Sequence, residues 1–130
     1  MPGPNYVLDK GFIQDAAVNQ FEAVKLATLQ HATKSSVAGE ACIGISQETV
    51  STADATAGRV SDVRIMGISR AKAAVAITIG ARVRSNGDGT LTTLAATTAK
   101  QEVVGIALTA AGATNDHFDV LLTPGAQADT

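Results

Sequence analysis

The apolar positions of this chain fall in short runs with a period of two, punctuated by glycine, across residues 39–125. The longest such set is Ala73, Val75, Ile77, Ile79, Ala81 and Val83, with Ala74, Ala76, Thr78, Gly80, Arg82 and Arg84 between them. Alternate residues of an extended chain face opposite sides, so this spacing predicts a strand with one buried face. Val24 and Leu26 predict an earlier strand, and residues 41–46 a second. Residues 59–65 and 69–79 predict two more, flanking a turn or bulge at Gly67. Further on, Val104, Ile106 and Leu108 predict one apolar face, and Phe118, Val120 and Leu122 another, with Pro124 ending the last strand.

Between these runs the punctuation is uneven. Ser85-Asn86-Gly87-Asp88-Gly89-Thr90 is the strongest turn signal, because Asn-Gly and Asp-Gly accept positive φ; it joins the strand ending at Arg84 to a short one near Leu91. Residues 31–39 read as a polar loop, and the Ala- and Thr-rich residues 92–101 as an exposed one. Residues 52–57 read as a single helical turn or a loop, two alternatives that composition leaves open.

Residues 1–20 stand apart. Pro2 and Pro4 disfavour a regular helix there, and Tyr6, Val7, Leu8, Phe12 and Ile13 are apolar residues with no obvious home in a terminal tail. The reading is an extended amino-terminal arm over residues 1–20, one β-rich domain over residues 21–125, and a loose tail over residues 126–130. The expected fold class is mainly all-β, a small β-barrel or β-sandwich-like domain.

Composition sharpens this picture. At 130 residues one domain is expected, and 45% hydrophobic content supports a core, but aromatics are only 3% and Trp is absent. Small aliphatic side chains must fill the interior, so stability is expected to lean on oligomerisation. A net charge of −2 lacks the basic face of a nucleic-acid binder. No apolar run is long enough to span a bilayer, and the first residues lack a signal-peptide pattern, so synthesis in a cytosol-like compartment is expected.

Candidate chemistry is sparse. Cys42, in Ala41-Cys42-Ile43-Gly44-Ile45, reads as a buried small hydrophobe. His31 and His117 lie in different segments, neither with a second ligand at metal spacing, although His117 neighbours Asp116 and Asp119. Asn86, Asp88 and Thr90 match the early positions of a calcium loop, but Thr97 stands where the closing carboxylate belongs. No serine sits in a nucleophile-elbow pattern, and Gly87 and Gly89 are followed by no lysine and no helix. Arg82 and Arg84 share one face, read as solvated. The expectation is a protein that is not an enzyme, with no cofactor and no metal.

The order of segments carries a resemblance. Gly39-Glu40-Ala41-Cys42-Ile43-Gly44-Ile45, a variable loop ending Ala57-Gly58-Arg59-Val60, and Met66-Gly67-Ile68 form its first part. Ile79-Gly80-Ala81-Arg82-Val83, Asp88-Gly89-Thr90, Val104-Gly105-Ile106-Ala107-Leu108 and Val120-Leu121-Leu122 complete it. Over about residues 20–125 the chain resembles the capsid decoration (cement) proteins of tailed bacteriophages. That resemblance implies a structural virion protein on the outer surface of the expanded head, stabilising the shell against internal DNA pressure. Its implied partner is the major capsid protein, with a homo-oligomer, a trimer in preference, and no direct contact with nucleic acid or membrane. Tyr6, Val7, Leu8, Phe12 and Ile13 are the candidate capsid contacts. The competing expectations are a small tail or baseplate β-barrel binding a host glycan or partner protein, and a barrel holding a small molecule. The first would want an exposed aromatic platform, which four aromatic residues hardly supply; the second needs an interior cavity with convergent polar groups.

Overall fold

A computed structural model of the chain describes residues 7–95 and 100–128. The described residues contain nine strands and one short helix: β1 (Leu8–Gln14), β2 (Ala23–Leu26), β3 (His31–Lys34), β4 (Gly44–Ser46), α1 (Thr52–Thr56), β5 (Val60–Lys72), β6 (Arg82–Ser85), β7 (Leu91–Thr93), β8 (Lys100–Ala107) and β9 (His117–Ala128). The fold is all-β, as the period-two pattern predicts. Residues 52–57, left open by composition, contain α1; the Ser51 side chain caps it by accepting from the Asp54 N–H.

The strands pair in the order β1-β3-β2-β4-β5-β9-β8-β6-β7, and a further β1–β5 pairing closes the first five into a barrel. Only β1–β3 is parallel among these barrel pairings. The other four strands extend from the far half of β5. β5 serves both parts. Its residues up to Met66 pair with β1 and β4, and from Gly67 onward it pairs with β9. Gly67 has φ +101°, a conformation that a side chain would resist; where a turn or bulge between two strands was expected, one long strand runs through and changes partner.

Two apolar cores result. Phe12, Val18, Val24, Ala32, Val50 and Val63 fill the barrel. Between the barrel wall and the extension lies a second core that includes Ala23, Ile45, Leu91, Val104, Phe118 and Val120. Adjacent residues Ala23 and Val24 of β2 thus enter different cores, one through each face of the strand. That is why β4 is buried at all three of its positions.

Several expectations are corrected. Residues 8–14 are not part of a free arm: β1 is a barrel strand, matched to β5 from Leu8↔Met66 to Ile13↔Val60. The long alternating set at residues 73–83 is not one strand. Ala73 and Ile77 make isolated bridges, residues 79–80 turn, and Val75 and Ile79 are exposed. Small side chains can be buried in turns as readily as in strands, so their alternation does not enforce extension. Residues 31–34 of the expected loop form β3.

On β8, the core takes Val104 and Ala107, leaving Ile106 half-buried and Leu108 exposed. A bulge explains it: Val103 matches Gly125 and Gly105 matches Leu122, so two residues of β9 oppose one of β8. Pro124 falls within that bulge, where its missing N–H costs no ladder bond, and β9 continues to Ala128 instead of ending in a tail at residue 126. Residues 1–6, 96–99 and 129–130 of the expected arm, loop and tail lie outside the described residues.

Candidate functional site

The five candidate contact residues do not form one surface. Tyr6 lies outside the described residues. Val7 and Leu8 are exposed, and Leu8 is matched across the strand pair to Met66, itself 61% exposed. Phe12 points into the barrel and is only 6% exposed, which corrects its reading as an open contact residue. Ile13 is half-buried. Phe12 is inward because closure of the barrel through β5 puts that face of β1 inside.

What sequence reasoning missed lies beside β1. The β2–β3 hairpin tip, residues 27–30, carries Leu29 at 88% exposure, and Leu26 at the end of β2 is 58% exposed. Together with Lys10 and Phe12 these residues line an open groove. Lys10 Nζ sits 5.7 Å from the centre of the Phe12 ring, a cation–π contact, and no carboxylate pairs with it among the described residues. A signal was present: an apolar residue flanked by Thr28, Gln30 and His31 at a turn tip has no reason to fold inward.

The β1 strand is fixed in place by an ion pair. Arg64 Nε donates to Asp9 Oδ1 at 2.8 Å and its Nη2 to Asp9 Oδ2 at 3.2 Å, while Nη1 donates to the Ile68 carbonyl at 3.0 Å. This two-point geometry ties β1 to both halves of β5, across the change of partner at Gly67.

Elsewhere the chemistry is structural. Burial pushes the Cys42 thiol up to about 11, as suits a packed side chain and not a nucleophile. The Asp88 carboxylate accepts from the N–H and hydroxyl of Thr90 within its own turn, which holds it below the usual carboxylate range against the effect of burial. His31 Nδ1 meets Asp15 at 2.6 Å, and the His117 ring packs edge-on against Phe21. No group of three His, Cys, Asp or Glu could hold a metal ion among the described residues, and no described helix is long and apolar enough to cross a membrane.

A closed barrel sharing one strand with an open sheet, with an apolar groove beside β1, defines a small all-β protein. The comparisons agree. The phage cement protein family matches residues 7–122, and the chain belongs to that family: it is a structural protein of the phage head, associated with the capsid. Its fold is similar to that of the head fibre gp8.5 N base of bacteriophage phi29, with TM-score 0.65 and 12% identity, over 91% of this chain and 95% of that one. No curated protein sequence matches the chain.

Proposed function

We propose that this protein binds the outer surface of the expanded phage head through the major capsid protein and stabilises the shell against internal DNA pressure, without catalysis. The observation that carries the reading is family membership across residues 7–122, which takes in every strand up to the bulge of β9. The likeness to a head-fibre base supports it, as does a body with two apolar cores, one on each side of β2. Copies made in the host cytoplasm assemble on the shell after expansion, as trimers, so that several modest contacts act together. Val7 and Leu8, exposed beside Met66, contribute to the contact.

Co-sedimentation with expanded, undecorated heads and with unexpanded proheads tests this. Saturable binding to expanded heads alone, with increased resistance of those heads to heat, is the expected result. Absence of binding to expanded heads would overturn the reading.

A further inference from the structure

The groove at the β2–β3 tip adjoins an unfinished strand edge. Ile13 N–H donates to the Gln30 carbonyl at 2.9 Å and Asp15 N–H to the Ala32 carbonyl at 2.9 Å, so the odd-numbered residues of β1 turn their backbone groups toward β3. Pairing with β3 stops at Ile13↔His31, because the chain reverses at the hairpin tip, where His31 N–H donates to the Thr28 carbonyl at 3.0 Å. The same side of Gly11 and Asp9 therefore faces no strand among the described residues, while their other side is occupied by β5. Along this open stretch lie Lys10, Phe12, Leu26 and Leu29.

Resting on the cement reading, we infer that this edge and groove receive an extended segment of the shell protein, which adds a strand beside β1. The occupant has a definite chemistry. A peptide backbone would replace the water on the outward groups of Asp9 and Gly11 with ladder hydrogen bonds; alternate apolar side chains would cover Leu26 and Leu29, and an acidic residue would meet Lys10. Lys10 supplies the charge complementarity: it has no carboxylate partner among the described residues and is held over the Phe12 ring at the groove wall. The chain's own first six residues are poor donors for a neighbouring copy, since Pro2 and Pro4 lack the N–H groups that a ladder needs. The incoming strand is short, about four residues, because β1 offers its free edge only between Leu8 and Phe12.

The test compares wild-type protein, Leu29→Asp, Lys10→Glu and Lys10→Arg in binding to expanded heads, with hydrogen exchange followed in the peptide covering residues 8–12. Leu29 and Lys10 are exposed, so each variant should melt as wild type does. Leu29→Asp and Lys10→Glu should each weaken binding about tenfold, and Lys10→Arg should retain it. Exchange in residues 8–12 should slow on the shell. If wild type binds while both charge-altering variants bind unchanged, or if exchange in residues 8–12 does not slow, strand addition here is wrong and the cement reading survives. If wild type does not bind expanded heads, both fall together.

Discussion

The barrel and the extension share β5, yet they solve burial in different ways. The barrel closes on itself and needs few apolar residues, and it tolerates polar ones inside: Gln14 is fully buried with neither side-chain nitrogen nor oxygen partnered among the described residues, and the Ser61 hydroxyl is likewise unpartnered there. The extension is open, with β7 paired to β6 on one side and touching Ala73 by a single bridge on the other. It depends on a larger apolar layer, part of it supplied by the outer face of the barrel through Ala23 and Ile45, with Cys42 just ahead of β4. Closure thus substitutes for apolar mass in one half, and packing against the closed half substitutes for closure in the other.

Removing the closure should have the largest effect. Deleting residues 8–14 takes out β1, and with it Phe12, the Asp9–Arg64 pair and the seam that joins β3 to β5. Because Val24, Ala32 and Val63 then lose their cover, the truncated chain should lack a cooperative thermal transition by circular dichroism, where a dispensable arm would have left it folded.

Next in size are two glycines, one in each half. A Cβ on Gly44 would lie 2.0 Å from the Arg64 carbonyl oxygen, and one on Gly105 would lie 2.2 Å from that of Leu121. In both cases the obstacle is backbone in a paired strand, which no rotamer change relieves. Gly44→Ala and Gly105→Ala should each cost about 3 kcal/mol in urea unfolding, at the upper end for overpacking. If β2, β4 and β5 couple the two cores, both substitutions shift one common transition. Two separate transitions, each moved by only one of the glycines, would show instead that barrel and extension unfold independently.

A third substitution should act in the opposite direction. Gln14→Met keeps the shape of the side chain and removes two buried polar groups without partners. The variant should be more stable by about 1–2 kcal/mol, seen as a higher urea midpoint at unchanged slope. The same exchange at the partnered Gln101, whose amide group bonds both backbone groups of Ala95, should destabilise instead.

The contrast between the halves also explains what was legible in the sequence. Local signals survived: the turn at Asn86-Gly87-Asp88-Gly89 does join β6 to β7, with Ser85↔Leu91 closing it, and Phe118, Val120 and Leu122 do share a buried face. Long-range closure left no such mark. β1 meets β5 across about fifty residues of chain, and nothing in Leu8-Asp9-Lys10-Gly11 announces that partner. β3, reading His31-Ala32-Thr33-Lys34, buries only Ala32 and so looks like loop. Walls buried on both faces lose their alternation, as in β4, and the bulge at Val104 and Pro124 hid both the true face of β8 and the true length of β9. At the site, Val7 and Leu8 were visible as unexplained apolar residues, whereas the groove depends on a hairpin tip being brought beside β1, which only the closed ring dictates.

The smallest expected effect concerns the seam itself. After β3 the chain crosses to the extension: Gly39 N–H donates to the Ser85 carbonyl at 2.9 Å, its own carbonyl accepts from Glu102 N–H at 3.0 Å, and the hydroxyls of Ser35 and Ser85 are hydrogen-bonded. Glu40 holds this crossing. Its Oε1 accepts from the N–H groups of Ser36 and Val37 and from the Ser35 hydroxyl, and its Oε2 pairs with Lys25 at 3.0 Å. Burial alone would raise its pKa, but these donors together outweigh burial and leave it below the ordinary 4.5. Asp88, in the turn that abuts the crossing, lies below its ordinary 3.8 chiefly through its bonds to Thr90. A carboxyl group depressed on folding stabilises the folded state above its unfolded pKa, and that contribution is lost as the pH falls through the folded value. The urea midpoint should therefore hold steady from neutral pH down to the ordinary carboxylate range and decline below it. Glu40→Gln and Asp88→Asn should each lower the midpoint at pH 7 and flatten the acid decline. A decline of undiminished steepness in the double variant would assign acid sensitivity to carboxylates away from the seam, and with it the weaker joint to one half of the molecule instead of the boundary between them.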